Sequence, residues 1–420
     1  MKKNRFLIIL NNRNFMKIWL SQVFSLVSAA TLTFILIGKI FSLTSSTVAV
    51  GIYLFFYYLP TAILGPFVGV FIDNWSKKSI LIYSNFIQSI WILSFIFVKE
   101  RFWIFYPLGF IYSLGDEFYN PTVAVGIPSV VKKEDLTTAN TLFFFTTQTS
   151  IIAGSFVGGL MLKLFPKFVF IIISIFLVFA ALLCLSLPSK IIDQSKKLKR
   201  SFPKLALNRF WENTKEGYTF IKNEPLIFFP ILLLAVLQSL VGMGLILLPS
   251  LTKMIHLEFA DASFLIIIPA CIGAIAGAWL LGKRNYRVRK NIFIIRGLYL
   301  FGASILSLPL ISLLIKSPTY LSLLLGASLG LGYVFIYIPL QTLIQEHTPF
   351  KVRGRVFGTL STLATLAAAF PLFVTTSLAD IIGTRYVLMI IGVGLLIFTF
   401  FVQKRKELII NYNYYSNLAK

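Results

Sequence analysis

Long apolar runs, each about the length of a bilayer-crossing helix, alternate along this chain with short polar gaps. A helix that spans the hydrocarbon core needs roughly 20 predominantly apolar residues. Twelve stretches meet that requirement: 15–40, 46–72, 80–98, 102–127, 137–162, 168–188, 225–252, 262–282, 291–315, 318–346, 355–379 and 385–403. The pattern predicts an all-α membrane protein with 12 transmembrane helices. The longest polar interval divides six from six, giving an N-terminal six-helix half over 1–188, a linker over 189–224, a C-terminal six-helix half over 225–403 and a tail over 404–420. In the linker, Lys196, Lys197, Lys199 and Arg200 precede Leu207, Trp211, Tyr218 and Ile221 at helical spacing. That spacing predicts an amphipathic helix lying on the cytoplasmic face, where basic side chains meet anionic lipid; a plain solvated linker is the alternative.

Charge adds sidedness. A net charge of +24 would point to nucleic acid if the basic residues formed a stripe on a soluble domain. Here they sit in the gaps of a chain that is 57% hydrophobic, only 13% charged and of mean hydropathy +0.84, which excludes a soluble globular fold and a nucleic-acid partner. Of the 39 Lys and Arg, Lys39, Lys99, Arg101, Lys163, Lys167, Lys253, Lys316 and Arg385 fall on one side and Arg296 falls within a span. The others gather on the opposite side, so the positive-inside rule places both termini in the cytoplasm of a multi-pass protein of the bacterial inner membrane. No small-residue cleavage site follows the first apolar run, so that run is expected to remain as a span.

The two halves echo each other. "SLGDEF" from Ser113 realigns on "GLGYVF" from Gly330, and the Gly65-x-x-x-Gly69 pair before one basic loop is repeated as Gly273-x-x-x-Gly277 before another. With six spans per half the copies share one orientation, as parallel repeats do.

Several stretches resemble the major facilitator superfamily, and within it the bacterial drug-efflux branch that includes macrolide and siderophore exporters. They are "NRNFMKIWLSQVFS" (Asn12 to Ser25), "EGYTFIKNEPL" (Glu216 to Leu226) and "IPLQTLIQEHTPFKVRGRVFG" (Ile338 to Gly358). "GVFIDNWSKK" resembles that superfamily's signature loop between spans 2 and 3, with Gly69, Asp73, Lys77 and Lys78 matching, Asn74 where Arg is usual and Ser76 where Gly is frequent. The resemblance implies the major facilitator fold. It also implies that Asp73 meets the N-terminus of span 11, whose free N–H groups and dipole favour a carboxylate. Asp73 would then gate the cytoplasmic side while Lys77 and Lys78 hold the loop in the cytosol.

Few residues could carry chemistry. No Ser/His/Asp set and no phosphate-cradling lysine loop is present, so no enzymatic activity and no cofactor are expected. Cys184 and Cys271 lie in apolar segments and His256 and His347 in loops on opposite sides, which leaves no metal site. Ionisable groups within spans cost about 2.5–3.5 kcal/mol at the bilayer centre and usually face the bundle interior or a water-filled cavity. Asp116 and Glu117, mid-way along span 4, are the candidates for proton coupling. Adjacent helix positions point about 100° apart, so only one of the pair is expected to face a central path. Glu346, Arg353 and Arg355 are candidates for the cytoplasmic rim. Gln22, Tyr57, Gln148, Gln238, Tyr333, Tyr337 and Gln341 are candidates for lining a substrate cavity, since apolar surface with a few polar groups suits amphipathic molecules.

The expected function is a monomeric secondary transporter that exports small amphipathic compounds in exchange for protons, with lipid as its surroundings. Two alternatives stay open: a facilitator or lipid or nutrient transporter of the same fold, and a non-transporting membrane receptor.

Overall fold

A computed structural model describes residues 5–98, 101–132, 135–189, 219, 224–283, 290–314, 319–348 and 373–404. A short helix, α1 (Arg5–Leu10), precedes the apolar helices α2 (Arg13–Thr44), α3 (Thr47–Asn74), α4 (Lys77–Leu93), α5 (Phe105–Val130), α6 (Leu136–Leu164) and α7 (Val169–Leu185). After the linker come α8 (Pro225–Met254), α9 (Ile268–Lys283), α10 (Lys290–Leu314), α11 (Thr319–His347), α12 (Phe373–Ile382) and α13 (Thr384–Lys404). Each of the twelve sequence-predicted spans coincides with one of the helices α2 to α13, the eleventh through its described part, 373–382.

Among the described residues, eight helices are long and apolar enough to cross a membrane and shorter apolar helices run over Thr47–Thr61, Val169–Leu185 and Phe373–Ile382. Helix α5, which carries Asp116 and Glu117, belongs to neither group despite its 26 residues. The expected amphipathic linker helix and the tail lie outside the described residues.

Local chemistry sets the helix ends. Ser76 caps α4 by accepting the Ser79 N–H at 3.2 Å, leaving Lys77 as its first residue. Pro225 opens α8, where its missing N–H costs nothing. The other end of α8 closes with the bonds of a Schellman turn, from His256 N to Lys253 O at 3.2 Å and from Leu257 N to Thr252 O at 2.9 Å.

The chain forms two compact units. One comprises Met1–Thr44 and Ile52–Phe210, the other Ser45–Gly51 and Trp211–Lys420, so the first turn of α3 groups with the second unit. In the first unit α2 packs on α6 and α7, and α4 on α5 and α7. In the second, α10 packs on α11 and α13, while α8 and α9 pack on α11. The third and fourth apolar helices of each unit thus meet in the same way, as do the third and sixth, in keeping with the repeat seen in the sequence.

Each unit has its own apolar core. That of the first includes Phe15, Ile18, Leu81, Tyr119, Val123 and Phe143; that of the second includes Leu234, Leu298, Ile336, Leu340 and Leu388. Helices α9 and α11 touch backbone to backbone: a Cβ at Gly330 would lie 1.6 Å from the Ala270 carbonyl oxygen, and one at Gly273 would lie 1.8 Å from that of Ala327. Small residues permit such approach where dispersion contact between helices, and not escape from water, drives association.

Candidate functional site

The most polar part of the first unit's interior lies on α5. Residues 105, 109, 112, 119, 123 and 127 of this helix are buried and fall on one face, which turns toward the neighbouring helices. Asp116 sits on that face between Tyr112 and Tyr119. Its Oδ1 accepts a hydrogen bond at 2.8 Å from Gln88 Nε2 on α4, and its Oδ2 accepts one at 3.2 Å from the Tyr57 hydroxyl on α3. Each carboxylate oxygen is therefore held by a different neighbouring helix. Gln88 Nε2 also donates to the Tyr112 carbonyl at 3.0 Å.

Gly115 makes this approach possible. A Cβ there would lie 2.5 Å from both Gln88 Cγ and Cδ, so only glycine lets the amide lie flat against α5. Glu117, one residue on, points elsewhere: its Oε1 accepts the Thr61 hydroxyl at 2.5 Å, and Thr61 is exposed. The pair that stood together in sequence therefore has two environments, Asp116 among buried side chains and Glu117 beside an exposed threonine.

One turn along α5, a second buried polar group ties three helices together, α2, α5 and α7. Ser21 Oγ donates to the Ala180 carbonyl at 3.0 Å. A hydroxyl has only one hydrogen, so Tyr119, at 2.7 Å, and the Cys184 thiol, at 3.1 Å, donate to Ser21. The apolar segment that holds Cys184 gives no sign of this bond in the sequence.

The other predicted residues are distributed as follows. Asp73 and Gly69 lie near the end of α3, but their side-chain environments, and the start of span 11, fall outside the described residues. Lys77 is buried, at 5% exposure, and Lys78 is partly buried. Glu346 pairs with Lys290, the buried first residue of α10, while Arg353 and Arg355 lie outside the described residues. Gln22 is buried with its Oε1 unpartnered; Gln148 has no described side-chain environment, and Gln238 is exposed. Tyr333 and Tyr337, one turn apart on α11, stack at 5.3 Å with an interplanar angle of 14°, and Gln341 Nε2 reaches the Tyr337 hydroxyl at 3.4 Å. These three form a half-buried polar and aromatic strip in the second unit.

Sequence reasoning missed Gln88, Thr61 and Lys290. The signal for Gln88 was available: Asn85 and Gln88 are one turn apart in an apolar span, and a glycine adjoins the acidic pair.

The family model of the Major Facilitator Superfamily matches residues 18–371. The chain belongs to this superfamily. It is 24% identical over 392 residues to macrolide efflux protein A of Streptococcus pyogenes, covering 90% of this chain and 92% of that protein. It is also 24% identical to the putative bacilysin exporter BacE of Bacillus subtilis, covering 70% and 71%. Among solved structures, the nucleoside transporter NupG superposes with a TM-score of 0.71 at 13% identity, covering 95% of this chain and 99% of that one. A POT family transporter in complex with 5-aminolevulinic acid superposes with a TM-score of 0.72 at 12% identity, covering 95% and 97%. These two likenesses establish the major facilitator fold. Membership makes the chain a multi-pass membrane transporter of small molecules and not an enzyme.

Proposed function

We propose that this superfamily member exports small amphipathic compounds across the bacterial inner membrane in exchange for protons, by alternating access, with both termini cytoplasmic. The observation that carries the coupling is the placing of Asp116, an acidic side chain half-way along a span, between donors from two other helices. A carboxylate in such a place is costly unless it works or is fully paired. It is satisfied by only two neutral donors, and no cation bridges it among the described residues. Export as the direction follows the names of the relatives, a macrolide efflux protein and a putative bacilysin exporter. The stacked Tyr333 and Tyr337 with Gln341 supply the aromatic and polar surface that an amphipathic substrate requires.

The test is proton movement in proteoliposomes under an imposed pH gradient, on adding macrolides, lipophilic dyes, siderophores or lysolipids, with Asp116→Asn and Glu117→Gln as comparisons. Compound-triggered proton flux that disappears in Asp116→Asn but persists in Glu117→Gln supports the proposal. Compound movement with no proton flux replaces it by a facilitator or lipid transporter, and flux lost only in Glu117→Gln moves the coupling role to that residue.

A further inference from the structure

The geometry points to Gln88 as a positioning residue that reads the protonation state of Asp116 and passes it from α5 to α4. This rests on the proposal that Asp116 takes up a proton, and extends it to the residue that responds.

The orientation of the Gln88 amide is fixed by its neighbours. Nε2 faces two acceptors, Asp116 Oδ1 at 2.8 Å and the Tyr112 carbonyl at 3.0 Å, and only an amide nitrogen can donate to both. Oε1 is then turned away and has no hydrogen-bond partner, although Gln88 is only 2% exposed. A buried acceptor without a donor is rare and calls for an explanation. The arrangement suits an ionised Asp116, which only accepts.

Proton uptake reverses the requirement. One O–H bond forms on Asp116, at the expense of a proton from solution, and no bond breaks within the protein. With the proton on Oδ1, the carboxylic acid donates from the atom that Gln88 holds, and an N–H group is the wrong partner there. The acceptor for that O–H is Gln88 Oε1, reached by turning the amide half a revolution about its last torsion, whereas a proton on Oδ2 meets the Tyr57 hydroxyl, which accepts as it stands. The turn exchanges an oxygen for a nitrogen of nearly equal size inside one envelope, so the packing on Gly115 is kept. It satisfies the unpartnered oxygen at the expense of the bond from Nε2 to the Tyr112 carbonyl, which then faces Oε1, while Nε2 takes the oxygen's former place. Arrival of a proton on α5 is thereby converted into a changed hydrogen bond between α4 and α5.

The titratable groups around Asp116 are Glu117, Tyr112 and Tyr119 on its own helix and Tyr53 and Tyr57 on α3, while α4 presents Gln88. Tyrosines remain neutral over the acidic and neutral range. Glu117 is the competing acid, and Glu117→Gln serves as its control.

Infrared difference spectra on stepping the pH of the full chain in lipid, with 13C at the glutamine side-chain carbonyl, test the inference. Acidification should produce a carboxylic C=O band and a shift of one glutamine amide band. Both should vanish in Asp116→Asn and both should survive in Glu117→Gln. In Gln88→Leu, or in Gln88→Asn, whose shorter amide cannot reach, the glutamine shift should vanish while the carboxylic band remains. An Asp116 band unaccompanied by a glutamine shift, or a glutamine shift that persists in Asp116→Asn, overturns the role of Gln88 alone. Absence of any Asp116 band overturns this role and proton uptake by Asp116 together.

Discussion

Asp380 caps the start of α3 from a distance of 333 residues in the sequence, its Oδ1 accepting the Thr47 backbone N–H at 2.7 Å. The same oxygen accepts the Thr47 hydroxyl at 2.6 Å, and Oδ2 accepts the Val48 N–H at 3.2 Å and the Ser46 hydroxyl. Ser46 in turn accepts the Ala49 N–H at 3.2 Å, so three of the helix's free N–H groups are satisfied, two of them by a residue of α12. The Thr47 hydroxyl, whose one hydrogen goes to Asp380, also lies 2.9 Å from the Thr376 carbonyl oxygen, and these contacts with α12 agree with the grouping of Ser45–Gly51 with the second unit.

Replacing Asp380 by alanine should cost about 1–2 kcal/mol, the upper part of the range for a lost helix cap, because two N–H groups lose their acceptor at once. Hydrogen exchange will localise the effect. The amides of Thr47 and Val48 should exchange faster in Asp380→Ala, while that of Ala49, held by Ser46, should change less. Unaltered exchange at Thr47 would show that the carboxylate is not the cap.

His256 offers the opposite kind of test. It occupies the left-handed position after α8 with φ of 58°, the place in a Schellman turn that glycine fills at no steric cost. Its side chain is exposed, so little contact is lost by removing it. His256→Gly should raise stability by about 0.5–1 kcal/mol, seen as a higher thermal midpoint in detergent. A lower midpoint would reveal a contact of the imidazole that outweighs the backbone gain.

Where α9 crosses α11, the expected direction is severe loss. Gly330→Ala places a methyl group 1.6 Å from the Ala270 carbonyl oxygen, and the obstacle is backbone, which cannot turn aside. The cost should reach about 3 kcal/mol or more, the upper end of overpacking effects. Folded yield after membrane extraction should fall sharply for this variant, whereas Gly282→Ala, whose Cβ would meet nothing within 4 Å, should resemble the parent.

The sequence carried much of this fold because membrane helices announce themselves: hydrocarbon tolerates only satisfied backbone, so the spans are long, apolar and punctuated by charge. Asp116 and Glu117 were legible for the same reason, as charges where charges are expensive. Their environments were not. That Asp116 turns to Gln88 and Glu117 to Thr61 depends on helix rotation, which a run of apolar residues does not encode when every face is apolar. Asp380 and Lys290 were hidden differently. Each looked like a charge at the end of a span, and its partner lies 333 or 56 residues away in a register set by packing alone.

Lys290 and Glu346 make that last relationship measurable. Lys290 is 1% exposed, whereas Glu346 is 42% exposed, so the pair joins a desolvated ammonium to a partly hydrated carboxylate. Removing the carboxylate strands the buried cation, while removing the cation leaves a carboxylate that water can reach. Glu346→Gln should therefore cost about 1–3 kcal/mol, less than a fully buried pair would because one partner keeps its hydration. Lys290→Met should cost less than Glu346→Gln, and the double variant less than the sum of the two. Thermal midpoints of the four proteins in one detergent give the coupling directly. Additive losses would mean that Lys290 is stabilised by surroundings other than Glu346. A larger loss in Lys290→Met would mean that the stem of the lysine, packed at the start of α10, matters more than its charge.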